Sequence, residues 1–262
     1  MSSGADVDAN LAEVDRYLAE AAAAGVQIIQ LPENFAQMPR RASELHSEVP
    51  GSGPVQEFLA SASARYQMTI IAGSLPIVVE DGELPFTRCL VYAPSGDCLA
   101  QYSKIHLFDV VLPSGEDYSE SARYQAGPAT DENLLVVTVQ QACIGLSICY
   151  DLRFPEMYRE LVERGAALLS VPAAFTYDTG RAHWHILLKA RAVENQSFVF
   201  AAAQTGTHAN GRITWGHSMI IDPWGETLAC RENGPGLVIC EIDLTQTDKV
   251  RRAFPALAHR RL

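Results

Sequence analysis

The sequence is short of positive charge. Its 20 Lys and Arg face 31 Asp and Glu, for a formal net charge of −11 at pH 7 and a pI near 5.1. A chain this acidic repels phosphate backbones and anionic lipid, so neither nucleic acid nor a membrane is expected as a partner, and an anionic small molecule would need a local cluster of cations. The dense basic run is confined to the end, at Arg251, Arg252, His259, Arg260 and Arg261, and reads as a solvated terminus or a subunit contact. Long apolar runs are also missing: no stretch reaches the length needed to cross a bilayer, and the opening residues, with Asp6 and Asp8, have neither a basic leader nor an apolar signal core. The six cysteines, at 89, 98, 143, 149, 230 and 240, form no CxxC pair and no compact disulfide spacing, which points to a reducing, cytoplasmic setting. Metal-ligand spacing is absent as well. His183 and His185 are two apart in an expected helix and face different ways, while His208 and His217 have no ligand-like Cys nearby, so neither a metal nor another cofactor is expected.

What is present is a core. With 48% hydrophobic and 19% charged residues, 262 residues can build one large domain, read here as a single unit over 1–262. Asn10 and Glu13 resemble a capping pair for a helix that stops at Gly25. A buried strand over 26–31, a helix over 54–66 and a strand over 69–79 ending in an Asp81-Gly82 turn follow. Strands are expected at 87–93 and 98–104, then a polar stretch over 108–130 that is too long for an ordinary connection and so reads as a functional loop. Beyond it come strands at 134–139, 143–149 and 167–171, helices from Pro155 to about Gly165 and over 182–195, strands at 197–203, 217–222, 227–230 and 237–242, and a last helix. The helix after His183 is apolar nearly all round, which suggests burial in the core and a subunit interface. Alternation early and strands late indicate an α/β protein with mixed sheets covered by helices.

Three residues stand at expected strand ends: Glu33, Lys104 and Cys149. In the strand leading to Cys149, Ile144, Leu146 and Ile148 share one face, and the small residues Cys143, Gly145 and Ser147 share the other, which leaves room there for a ligand. Each of the three has a plain explanation: Cys149 as core filler, Glu33 as a cap or loop acid, Lys104 as a surface lysine. Together they make an acyl-transfer set, because open α/β sheets collect their sites at these strand ends. A carboxylate can take the proton of an attacking thiol and pass it to a leaving amine, and an ammonium with the Tyr150 backbone N–H can hold the oxyanion.

Leu31-Pro32-Glu33-Asn34, Tyr102-Ser103-Lys104-Ile105-His106-Leu107-Phe108-Asp109 and Cys149-Tyr150-Asp151-Leu152-Arg153-Phe154-Pro155-Glu156 resemble the three ordered blocks of the nitrilase, or carbon-nitrogen hydrolase, superfamily. The resemblance implies an αββα sandwich, a triad of Glu33, Lys104 and Cys149, Glu120 as a second glutamate hydrogen-bonding near the lysine, and a homodimer or larger homo-oligomer. Ala173-Ala174-Phe175-Thr176, Thr179-Gly180-Arg181-Ala182-His183-Trp184, Trp215-Gly216-His217-Ser218-Met219 and Asp222-Pro223-Trp224-Gly225 resemble the branch that includes deaminated glutathione amidase. That branch implies hydrolysis of the amide between a 2-oxoglutaryl group and cysteinylglycine; a neighbouring branch, omega-amidase, acts on 2-oxoglutaramate. Either substrate carries a carboxylate, so Arg153 is the first candidate to bind it, against a structural pairing with Asp151 or Glu156, and Phe175, Thr176 and His183 complete the candidate pocket. Another carbon-nitrogen hydrolase activity is the remaining enzymatic alternative, and a catalytically silent interaction scaffold is the non-enzymatic one. Members of the superfamily usually begin with a strand just ahead of the position of Met1; the expected fold lacks it, and upstream residues are expected to raise thermal stability.

Overall fold

In the computed structural model, which describes residues 1–80, 83–113 and 115–261, α1 (Val7–Ala23) starts at Asp6, whose carboxylate accepts the N–H of Ala9 at 3.0 Å. Asn10, expected as the cap, lies inside the helix, because Asp6 already serves the first-turn N–H groups. Its amide instead ties Gly4 and Ala36 together. Next come β1 (Ile28–Gln30), α2 (Pro54–Tyr66) with its expected limits, and β2 (Thr69–Ile71) and β3 (Leu75–Ile77) in place of one long strand. The break falls at Gly73, where φ is +38° and a Cβ would lie 2.0 Å from the Pro32 carbonyl oxygen. The expected Asp81-Gly82 turn lies outside the described residues. β4 (Phe86–Tyr92) and β5 (Cys98–Ser103) complete the first sheet, in which β1 runs parallel to β2 and the other pairs are antiparallel.

The 108–130 stretch holds a hairpin, β6 (Asp109–Val111) with β7 (Asp117–Ser119). The second sheet uses β8 (Val136–Val139) and β9 (Ala142–Leu146), then α3 (Pro155–Glu163), β10 (Leu168–Ser170), the short α4 (Tyr177–Thr179), α5 (His185–Asn195) and β11 (Phe198–Ala201). A second hairpin, β12 (Thr205–Thr207) with β13 (Ile213–Trp215), precedes β14 (Ser218–Ile221), β15 (Thr227–Arg231) and α6 (Thr245–Ala253). The order is β15-β14-β11-β10-β9-β8, with a parallel centre and antiparallel edges.

Period-two alternation makes the layers. Ile70, Leu90 and Tyr92 pack with Val14, Leu18 and Leu59 of α1 and α2, while their neighbours Ile71, Cys89 and Val91 pack with Ile144, Leu146 and Leu169 of the second sheet. With α3 and α5 outside that sheet, the result is a four-layer αββα sandwich. Three expectations need correction. Residues 237–242 form no strand; with the edge of β1 they line a groove of about 580 Å³. α5 is not buried all round, since Ile186 is 70% and Val193 51% exposed. Arg251 is not simply solvated, for its guanidinium donates to the Ala166 carbonyl and the Ser197 hydroxyl, both at 2.9 Å. Among the described residues no helix is long and apolar enough to cross a membrane.

Candidate active site

Glu33 leaves β1 through Leu31-Pro32 and is 5% exposed. One carboxylate oxygen accepts the Ala174 N–H at 2.9 Å and the other accepts from Lys104 Nζ at 3.0 Å. Lys104 follows β5, is 1% exposed, and also donates to both oxygens of Glu120 at 2.8 Å. Glu120 is aimed by the Phe108 N–H, which donates to it at 2.6 Å. Gly127 holds the lysine backbone from behind: its N–H donates to the Lys104 carbonyl at 2.7 Å, and a Cβ there would meet the Ser103 carbonyl oxygen at 2.3 Å.

Cys149 lies beyond the end of β9 rather than on it. It opens a tight turn, Cys149–Arg153, at φ +50°, a left-handed conformation unfavourable for a residue with a Cβ. The turn is held by Asp151, fully buried, which accepts from Ile148 N–H at 2.8 Å, the Tyr102 hydroxyl at 2.7 Å, and the backbone and Nδ1 of His106 at 3.1 and 2.7 Å. The Cys149 N–H donates to the Pro172 carbonyl at 2.9 Å. The small face of β9 is not the ligand space the sequence suggests. A Cβ on Gly145 would meet Leu161 at 3.1 Å, and Ser147 bonds the Tyr158 hydroxyl and the Ser170 carbonyl at 2.7 Å, so α3 and β10 fill that side.

Charge and burial set the protonation states. Burial alone would raise the Glu33 carboxyl, but the adjacent Lys104 charge, a hydrogen bond with Cys149 and the Arg212 charge reverse this and hold it below 4.5. Lys104 would likewise be depressed by burial; Glu120 and then Glu33 hold it well above its ordinary value. Burial, then the Glu33 charge, pushes the Cys149 thiol well above 9.0. The group is therefore a protonated thiol beside an ionised carboxylate and an ammonium. This arrangement can move a proton from sulfur to Glu33 as the sulfur attacks a carbonyl carbon.

A cavity of about 160 Å³ opens onto these groups and is also lined by Tyr150, Arg153, Phe175 and Thr176. Arg153 pairs with neither Asp151 nor Glu156. Its guanidinium lies 5.3 Å from the Phe175 ring centre and 5.8 Å from that of Tyr150, and it donates to His183 Nδ1 at 3.2 Å. His183 itself is exposed and outside the lining; it touches the site only through Arg153. Thr176 is partly occupied as the cap of α4, with its hydroxyl 2.8 Å from that of Thr179. Sequence reasoning missed Arg212 and Tyr118, which also line the cavity. The available signal for Arg212 was Asn210-Gly211, a hairpin turn between the β-prone runs of β12 and β13. Among the described residues no group of three or more His, Cys, Asp or Glu could hold a metal ion.

The sequence profile of the carbon-nitrogen hydrolase family matches residues 1–252. A deaminated glutathione amidase from Synechocystis sp. (strain PCC 6803 / GT-S) is 44% identical over 262 residues, covering 99% of this chain and 95% of the relative. An omega-amidase from Homo sapiens is 33% identical over 255 residues, covering 96% of this chain and 89% of the relative. The crystal structure of the C. elegans NitFhit protein matches with a TM-score of 0.86 at 33% identity; all of this chain is covered, and it spans 63% of that longer protein.

Proposed function

The chain belongs to the carbon-nitrogen hydrolase family and is a hydrolase of amide carbon–nitrogen bonds, and on that premise we propose that it cleaves deaminated glutathione to 2-oxoglutarate and cysteinylglycine through a thioester on Cys149. Sγ attacks the amide carbon as its proton passes to Glu33, and Lys104 with the Tyr150 N–H receives the oxyanion. Glu33 then delivers that proton to the leaving nitrogen, the carbon–nitrogen bond breaks, and cysteinylglycine departs. Water attacks the thioester with Glu33 again as base, returning the proton to sulfur and releasing 2-oxoglutarate. The carrying observation is the Lys104 Nζ to Glu33 contact of 3.0 Å, with the Cys149 thiol beside the same carboxylate.

The substrate reading is supported by the 44% identical amidase against the 33% identical omega-amidase, and by arginines in the cavity that suit carboxylates. Side-by-side turnover of deaminated glutathione and 2-oxoglutaramate tests it; preference for 2-oxoglutaramate overturns it. The reading includes a homo-oligomer, favoured by exposed Val193, Trp224 and Phe254, which gather where α5 and the residue after α6 meet the Trp224-Gly225 turn. Light scattering that returns a monomer mass would reject that part. A cytoplasmic setting belongs to it too, consistent with the free cysteines at 89, 98, 143, 149, 230 and 240.

A further inference from the structure

The cavity inverts the charge of the molecule around it. The protein carries −11 overall, yet four cations, Lys104, Arg123, Arg153 and Arg212, line this space against two carboxylates, Glu33 and Glu120, which leaves two positive charges unmatched. The charge of Lys104 is matched by the two glutamates, and Arg123 is exposed. Two half-buried arginines remain, and they stand on opposite partners of the reaction. Arg153 belongs to the turn that carries Cys149 and rests on the Tyr150 and Phe175 rings.

Arg212 belongs to the β12–β13 hairpin and reaches Glu33 by way of one residue. Ala174 donates its N–H to Glu33 at 2.9 Å, and its carbonyl accepts from Arg212 Nη2. The guanidinium lies 5.4 Å from the Tyr118 ring centre, its buried Nε has no hydrogen-bond partner, and among the described residues no carboxylate pairs with it. The hairpin holding it is fixed: His208 donates from Nδ1 to the Ser3 carbonyl at 2.9 Å and accepts from the Thr214 hydroxyl at 2.7 Å, and Trp215 N–H donates to Phe175 at 3.0 Å. A positioned guanidinium that lines the cavity without a carboxylate partner is suited to receive an anion.

We propose that Arg212 binds the carboxylate of the leaving half of the substrate, while Arg153 serves the acyl half. This rests on the reaction proposed above, in which Glu33 protonates the departing amine; the leaving group therefore lies on the Glu33 side, where Arg212 stands. Deaminated glutathione carries a carboxylate at each end, one on the 2-oxoglutaryl group and one on glycine, matching two arginines that line one cavity. Arg212 is then the residue that selects a dipeptide leaving group over ammonia.

The test compares deaminated glutathione with the analogue whose glycine carboxylate is a carboxamide. Wild-type kcat/KM is expected to favour the acid by roughly 10- to 100-fold, carried mainly by KM, the scale of one charge-assisted contact. In Arg212→Met the ratio is expected to fall to about 3-fold or less, with Arg212→Lys between; in Arg153→Met it is expected to persist while both substrates slow. A wild-type enzyme indifferent to the carboxamide, a ratio that survives Arg212→Met, or an equal collapse in Arg153→Met overturns the proposal even if Arg212→Met proves unstable. A wild-type enzyme inactive on deaminated glutathione instead overturns the substrate reading and this assignment with it.

Discussion

Tyr102 donates its hydroxyl to Asp151 at 2.7 Å, joining the strand that leads into Lys104 to the turn that begins with Cys149. Both residues are fully buried; Tyr102 lies in β5 of the first sheet and Asp151 in the turn that follows β9 of the second. The ammonium and the thiol are thus set against each other by a hydrogen bond that neither makes.

Removing that acceptor should cost stability before chemistry is considered. Asp151→Ala leaves the Ile148 N–H, the Tyr102 hydroxyl and the His106 N–H groups without their partner. A loss of about 3 kcal/mol is expected, against about 1 kcal/mol for Tyr102→Phe. Urea unfolding measures both; an unchanged midpoint for Asp151→Ala would contradict this account.

Cys149→Ala should reduce turnover of deaminated glutathione by at least about a thousandfold, with the circular dichroism spectrum unaltered. Because residue 149 sits at φ +50°, Cys149→Gly should melt higher than Cys149→Ala by the equivalent of about 1 kcal/mol. The reverse order would mean that the turn tolerates a Cβ without strain.

The thiol is held protonated by burial and by the Glu33 charge. Its alkylation by iodoacetamide should therefore follow an apparent pKa above 9.0, and Glu33→Gln, which removes a negative charge beside the thiolate, should lower that pKa while nearly abolishing hydrolysis. A Glu33→Gln variant with an unmoved alkylation profile would separate the two residues.

Lys104→Met reverses the sign of a pH effect. In the wild type the Glu33 pKa is depressed, so its contribution to stability is present above 4.5 and is lost as pH falls through the folded value. Without the ammonium, burial dominates and the carboxyl rises above 4.5, so folding should weaken as pH climbs from 4.5 toward 7 relative to wild type. Melting temperatures across that range decide it; parallel curves would refute the assignment of the shift to Lys104.

Much of this was legible along the chain, and the rest needed neighbours. α2 was readable to the residue because Pro54 and its apolar spacing are local signals. Glu33, Lys104 and Cys149 were readable because each follows a buried run, and the structure brings them together with Glu120. The break at Gly73 is hidden because its cause is the Pro32 carbonyl, and residues 237–242 have the composition of a strand but form none. Ser147 looks like open space along the chain because its partners, Tyr158 and Ser170, are brought to it only by the fold. Asp151 carries no local sign of being an organiser, since three of its four donor contacts come from residues 102 and 106.

The hairpin of β6 and β7 delivers Glu120 to Lys104 while Phe108 and Tyr118 form cavity wall, and it rejoins the sandwich through the Gln125 N–H on Pro85 and the Gly127 N–H on Lys104. Exchange of the hairpin between these anchors would reshape the wall at Phe108 and Tyr118 without disturbing either sheet of the sandwich. A wall carried on such a cassette can be exchanged for another shape while Glu33 and Cys149, which the sandwich itself holds, keep their places.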